Sequence, residues 1–212
     1  MSILSDKWIK EQSINNRLIA PFVDCSMGVK EDNVTPVTSY GLSSYGYDIR
    51  LGNSFKLFTQ SVDRTPIFYI RKHYEELNVV HIDPMNFDDK LVSSVVLDDD
   101  EYLTIPGGGF ALGVSLERIK LPRDISAICM EKSTLARCGL SVTITPLEAG
   151  WEGYVTLEIS NKTNLPIKLT PGMGISQVLF FKGNEPCEIS YSDRNGKYQN
   201  QPAQPVLPRR KL

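Results

Sequence analysis

The sequence predicts a mainly β fold of the sandwich or barrel-like jelly-roll kind, and three observations carry that expectation. Apolar and polar residues alternate in many short segments, Gly, Pro or Asn interrupts them about every eight to twelve residues, and one stretch near the start has helical spacing. With 212 residues, 41% of them hydrophobic, the chain can build one substantial core and is short for two. A single domain over 1–212 is expected.

Ser5 is placed to cap the helix, which runs through Trp8, Ile9 and Gln12 with Asp6 in its first turn and Pro21 marking its end. Next, Tyr47, Ile49 and Leu51 alternate with Asp48 and Arg50, and Phe55 and Leu57 resume the beat after Gly52-Asn53. This predicts a hairpin with one buried face. Residues 61–101 hold no clear period: 67–70 and 92–97 read as strands and 72–77 as a helical turn, so an insertion is expected. The acidic run Asp98-Asp99-Asp100-Glu101 reads as a solvated turn, because adjacent carboxylates on an extended chain point to alternate sides. Short strands then recur at 103–105, 110–116, 125–130, 142–144, 154–159, 166–169 and 177–181. The stretch 192–212 has no apolar period and is expected to be a tail, either unstructured or closing as a lid over a site.

Composition narrows the function. A net charge of −2 and a pI near 5.8 lack the basic surplus of a general nucleic-acid or membrane-surface binder. No apolar run approaches the roughly 18 residues that span a bilayer, and the N-terminus is charged where a secretion signal is apolar. A cytoplasmic protein is expected. Four scattered cysteines, Cys25, Cys129, Cys138 and Cys187, suggest free thiols. His73-Tyr74-Glu75 and Pro186-Cys187 begin the two halves of a zinc-deaminase signature, but the second cysteine is replaced by Ser190, so no zinc site is expected.

The chemistry gathers in 131–161. On the strand Tyr154-Val155-Thr156-Leu157-Glu158-Ile159-Ser160, Glu158 shares the polar face with Thr156, opposite Val155, Leu157 and Ile159. From the strand alone it reads as a solvated carboxylate. Upstream, Ser133 can cap a single helical turn with Gly139 as its C′ residue, and Lys132 and Arg137 flank the turn. Such a turn suits an anion such as a phosphate chain, or is a plain surface turn. Cys138 reads as a packing residue, with no histidine beside it in sequence.

Five segments together resemble the dCTP deaminase family. They are 43–51 (SSYGYDIRL), 132–140 (KSTLARCGL), 151–161 (WEGYVTLEISN), 174–181 (GISQVLFF) and 196–199 (GKYQ), in the family's order. The resemblance covers most of the chain outside 61–101. It implies the distorted jelly-roll or β-barrel of the trimeric dUTPases, and hydrolytic deamination of dCTP to dUTP and ammonia without a catalytic metal, supplying dUMP and dTTP synthesis. By matching position Glu158 is the acid–base residue, with Ser133 and a backbone carbonyl near Thr145-Pro146 holding the attacking water and Arg137 completing the catalytic set. Lys132, Ser133, Thr134, Leu135, Ala136, Arg137, Thr156, Leu157, Gln177, Tyr191, Lys197 and Gln201 are the implied nucleotide contacts. Mg²⁺ is implied on the triphosphate, a homotrimer as the assembly, and dTTP as a feedback inhibitor in relatives. For Glu158 to serve both proton transfers its pKa must rise by partial burial, a rise that Arg137 would limit.

The hairpin 145–151 is two residues shorter than in many relatives, and Glu148 stands where some carry aspartate. This leaves two alternatives: a dUTPase, or a bifunctional enzyme that releases pyrophosphate with Glu148 activating water, and a nucleotide-binding sensor without turnover. The dUTPase's own G-x-I-D-x-x-Y-x-G pattern is lacking.

Overall fold

A helix of eleven residues, α1 (Asp6–Asn16), opens the structure, a computed structural model that describes residues 2–30, 34–58 and 82–209. Ser5 is its N-cap, although no side-chain bond caps it, and Arg17 stops it by turning left-handed at φ 55°. The helix therefore ends before Pro21, not at it. Ile9 is fully buried against the sheets, which is why so polar a helix is held.

The strands are β1 (Ser2–Ile3), β2 (Ile19–Ala20), β3 (Ser26–Val29), β4 (Pro36–Ser43), β5 (Gly46–Arg50), β6 (Ser54–Phe58), β7 (Val92–Val96), β8 (Leu103–Ile105), β9 (Phe110–Lys120), β10 (Ile125–Glu131), β11 (Leu140–Thr143), β12 (Glu152–Asn161), β13 (Ile167–Leu169) and β14 (Gly174–Lys182). One six-stranded sheet runs β1-β14-β5-β4-β3 with β10 also on β14, and the other runs β11-β12-β9-β6-β7 with β2 on β9. A two-stranded β13-β8 ribbon completes a mainly β, jelly-roll-like arrangement whose pairings are antiparallel. Between the sheets lies one apolar core, in which Tyr47, Ile49, Leu51, Phe55, Leu157, Ile159, Val178 and Phe180 are among the buried residues.

One expectation is overturned. The alternation of 47–57 predicted a hairpin with one buried face, but β5 pairs with β4 and β14 while β6 pairs with β7 and β9, so the turn after Leu51 passes from one sheet to the other. Both faces of β5 are buried, because its polar residues find partners. Arg50, 2% exposed, donates through its backbone N–H and its Nε to Glu117, 0% exposed, both at 2.7 Å. Asp48, 7% exposed, takes the Lys132 ammonium at 2.5 Å.

Glu117 reaches inward because β9 is irregular there: from Tyr154 to Thr156 β12 advances two residues, while its partner advances four, from Arg118 to Val114. Ser115 bridges the gap, donating to the Glu117 carbonyl at 2.6 Å and accepting from the Val155 N–H at 2.8 Å.

In the stretch expected to be an insertion, the strand at 92–96 is present as β7, and 98–101 is an exposed turn. The readings at 67–70, 72–77 and His73 lie outside the described residues. No helix among the described residues is long and apolar enough to cross a membrane.

Candidate active site

Strand β12 builds the floor of the site. It alternates half-buried and buried side chains along its length, so Val155, Leu157 and Ile159 enter the core while Thr156 and Glu158 face outward on one side. There they meet a cavity of about 640 Å³. Glu158 lies between Leu112 of β9 and Thr143 of β11 in the pairing, inside the sheet and away from its edge. Its carboxyl group makes no hydrogen bond or ion pair with the described residues, and burial alone raises its pKa above the ordinary glutamate value. The sequence-level expectation that Arg137 would limit this rise does not hold within one chain, where Arg137 is exposed at the end of another element.

The hairpin between β11 and β12 forms one wall. Leu147 exchanges both backbone hydrogen bonds with Ala127 of β10, which pins the hairpin and turns Thr145, Pro146 and Glu148 to the cavity. Gly150, at φ 78°, makes the turn that returns the chain to β12.

The tail forms a second wall. Trp151 Nε1 donates to the Tyr198 carbonyl at 2.9 Å, the Tyr198 N–H to the Tyr191 hydroxyl at 3.0 Å, and Gln199 Nε2 to the Gly150 carbonyl at 3.2 Å. Gln201 pairs with Gly153 as a short parallel bridge, and its side chain accepts from Thr156 Oγ1 at 3.4 Å. The tail is thus ordered against the cavity. Phe58, Phe87 and Phe110 make a third, aromatic wall, with Phe58 4.9 Å from Phe110 and 6.0 Å from Phe87 between ring centroids.

Of the residues singled out in the sequence, Glu158, Thr156, Tyr191 and Gln201 come together at this cavity, with the Thr145-Pro146 segment. Leu157 faces the core and does not line the cavity. Lys197 is exposed outside the lining, and Gln177 lies on β14, donating to Ser43 at 3.4 Å. The turn at 132–137 stands apart. It forms α2 (Ser133–Arg137), capped by Lys132 and not by Ser133, with Gly139 left-handed at φ 79° in the C′ position as expected.

Leu135 is buried, whereas Ser133, Thr134, Ala136 and Arg137 are exposed, and none of 132–137 lines the Glu158 cavity. Strand β11 explains the separation: α2 precedes Leu140, which pairs with Asn161, and Leu140 lies about 10 Å along the strand from Thr143 beside Glu158. Two cations of these segments have carboxylate partners. Lys132 is held by Asp48, and Arg194 by Glu148.

The sequence reading missed the phenylalanine wall and the tail residues Tyr198, Val206 and Pro208. Phe58 and Phe110 sit on strands distant in sequence, and no local period marks their meeting.

The profile of the dCTP deaminase-like family matches residues 3–183. The chain belongs to the dCTP deaminase-like family. Among curated members, the dCTP deaminase of Acidobacterium capsulatum is 49% identical over 201 residues, covering 95% of this chain and 96% of that protein. The dCTP deaminase of Campylobacter hominis is 47% identical, covering 95% and 93%. The crystal structure of 2'-deoxycytidine 5'-triphosphate deaminase from Agrobacterium tumefaciens has the same fold, with a TM-score of 0.53 and 23% identity over 85% of this chain and 48% of that one. All four cysteines of this family member are free, and burial raises the Cys129 thiol to about 12, which keeps it protonated and unreactive.

Proposed function

We propose that this protein deaminates dCTP to dUTP and ammonia, in the cytoplasm, with Glu158 as the acid–base residue. The observation that carries the reading is the Glu158 carboxyl group itself: it faces a cavity, is unpartnered among the described residues, and is raised by burial, in a chain nearly half identical to curated dCTP deaminases. Replacing the C4 amine of cytosine by water requires the water to lose a proton as it attacks and the amine to gain one as it leaves. One carboxyl group performs both transfers if its pKa sits near the working pH.

The wall at Thr145-Pro146 offers backbone carbonyls that could fix the water, and Thr156, Tyr191 and Gln201 polar groups for the nucleoside. Mg²⁺ is proposed to arrive on the triphosphate, where it would offset phosphate charge. Among the described residues the cavity has two carboxylates, Glu148 and Glu158, and they do not make a cage for it, since Glu148 is paired with Arg194. Ser133, Arg137 and the rest of 132–137 complete the site, in this reading, from a neighbouring copy in a homotrimer. Their separation from Glu158 within one chain supports that arrangement.

Pyrophosphate release by Glu148 is the alternative, and the Arg194 pairing counts against a free base at that position. Incubation with dCTP and with dUTP, each with Mg²⁺, decides between them: ammonia from dCTP alone is expected. Pyrophosphate from either nucleotide points to the bifunctional reading, and tight binding with neither product to a sensor. dTTP added to the dCTP assay tests feedback inhibition.

A further inference from the structure

The tail beyond Gln201 lies outside the segment matched by the family, yet two ties bring it back over β12. The Val206 N–H donates to Thr156 Oγ1 at 3.2 Å, and the Arg209 N–H donates to the Tyr198 hydroxyl at 3.4 Å. Thr156 is two residues from Glu158 on the same face of the strand. Between the ties, half-buried Val206 and the more exposed Pro208 join the cavity lining, and Pro205 beside them is buried. Phe58, Phe87, Phe110 and Leu112 line the same cavity, Leu112 directly beside Glu158 on the paired strand, so apolar side chains flank the carboxyl on the sheet while the tail lines the cavity too.

The charged and titratable neighbours on the cavity are few among the described residues. The hairpin contributes Glu148, neutralised by Arg194, and the tail contributes the phenols Tyr191 and Tyr198, each accepting a backbone N–H. The pairing partners Leu112 and Thr143 on β9 and β11 carry no charge.

We propose that Val206 and Pro208 are positioning residues for the reaction: an apolar roof that keeps bulk water from Glu158, so that its carboxyl group exchanges protons with the substrate and its water alone. The inference rests on Glu158 being the acid–base residue. An uncharged roof disfavours the carboxylate, and opening it to solvent lets the group relax toward an ordinary glutamate. The direction agrees with the burial-driven rise at Glu158.

The test uses the full chain with V206S/P208S and the more conservative V206T, which keeps the shape of valine and adds a hydroxyl. Glutamate labelled with ¹³C at the carboxyl carbon is titrated by NMR, the Glu158 signal being assigned by its loss in E158Q, and kcat for dCTP is followed against pH. The Glu158 midpoint is expected to fall by about half a unit or more in V206S/P208S, and by less in V206T, with the acid limb of kcat following it down. A midpoint unmoved in both variants overturns the roof while leaving Glu158 in its role. Undiminished deamination by E158Q overturns that role and the roof's part in the reaction with it. If V206S/P208S does not fold, V206T alone is read by the same criterion.

Discussion

Glu158 combines two properties that seldom occur together in a strand: it faces a cavity in the middle of a sheet, and among the described residues it has no partner. Glutamate is rarely held away from water without an ion pair, because the charged form loses hydration. The sign of the effect on folding follows. Its folded pKa lies above the unfolded value, so the stability it contributes is full below the unfolded pKa and is lost as pH rises through the folded one. E158Q is therefore expected to melt about 2 °C above the parent at alkaline pH and level with it in acid, by calorimetry across that range. From the strand alone Glu158 looked like a solvated carboxylate. The period of two correctly put it on the polar face, but what covers that face comes from a tail more than thirty residues later in the chain.

Strands β5 and β12 show why one element was legible and the other was not. Strand β12 has one apolar face and one polar face, so its alternation maps directly onto burial. Strand β5 has the same alternation and both faces are buried, because Asp48 meets Lys132 from 84 residues away and Glu117 meets Arg50 across 67. No local pattern announces such partners. The Arg50–Glu117 pair joins β5 in one sheet to β9 in the other. Removing one partner leaves a buried charge, so E117A is expected to lose about 3–5 kcal/mol in urea unfolding, and R50M/E117L distinctly less. The turn after α2 is a second such element. A Cβ on Gly139 would come 2.2 Å from Thr163 Cγ2 at a left-handed φ of 79°, so G139V is expected to cost about 2 kcal/mol or more in the same measurement.

At the scale of the whole molecule, the candidate residues fall into two groups that one chain keeps apart: Glu158 with the tail, and 132–137 beyond the start of β11. Both groups could be read from the sequence by resemblance; their separation could not, since it depends on the direction of β11 along β12. If neighbouring copies complete each site, mixing and reassembling E158Q with R137A, each inactive alone, returns about a quarter of the parent activity per site, because random assembly unites an intact carboxylate with an intact turn that often. Sites contained within one chain would return none. The central claim, that the Glu158 carboxyl group moves the protons of deamination, is tested most directly by measuring ammonia release from dCTP by E158Q beside calorimetric binding of dCTP. The account predicts that release falls by about a thousandfold or more while the affinity for dCTP stays within a few-fold of the parent. Ammonia release at the parent rate would contradict it.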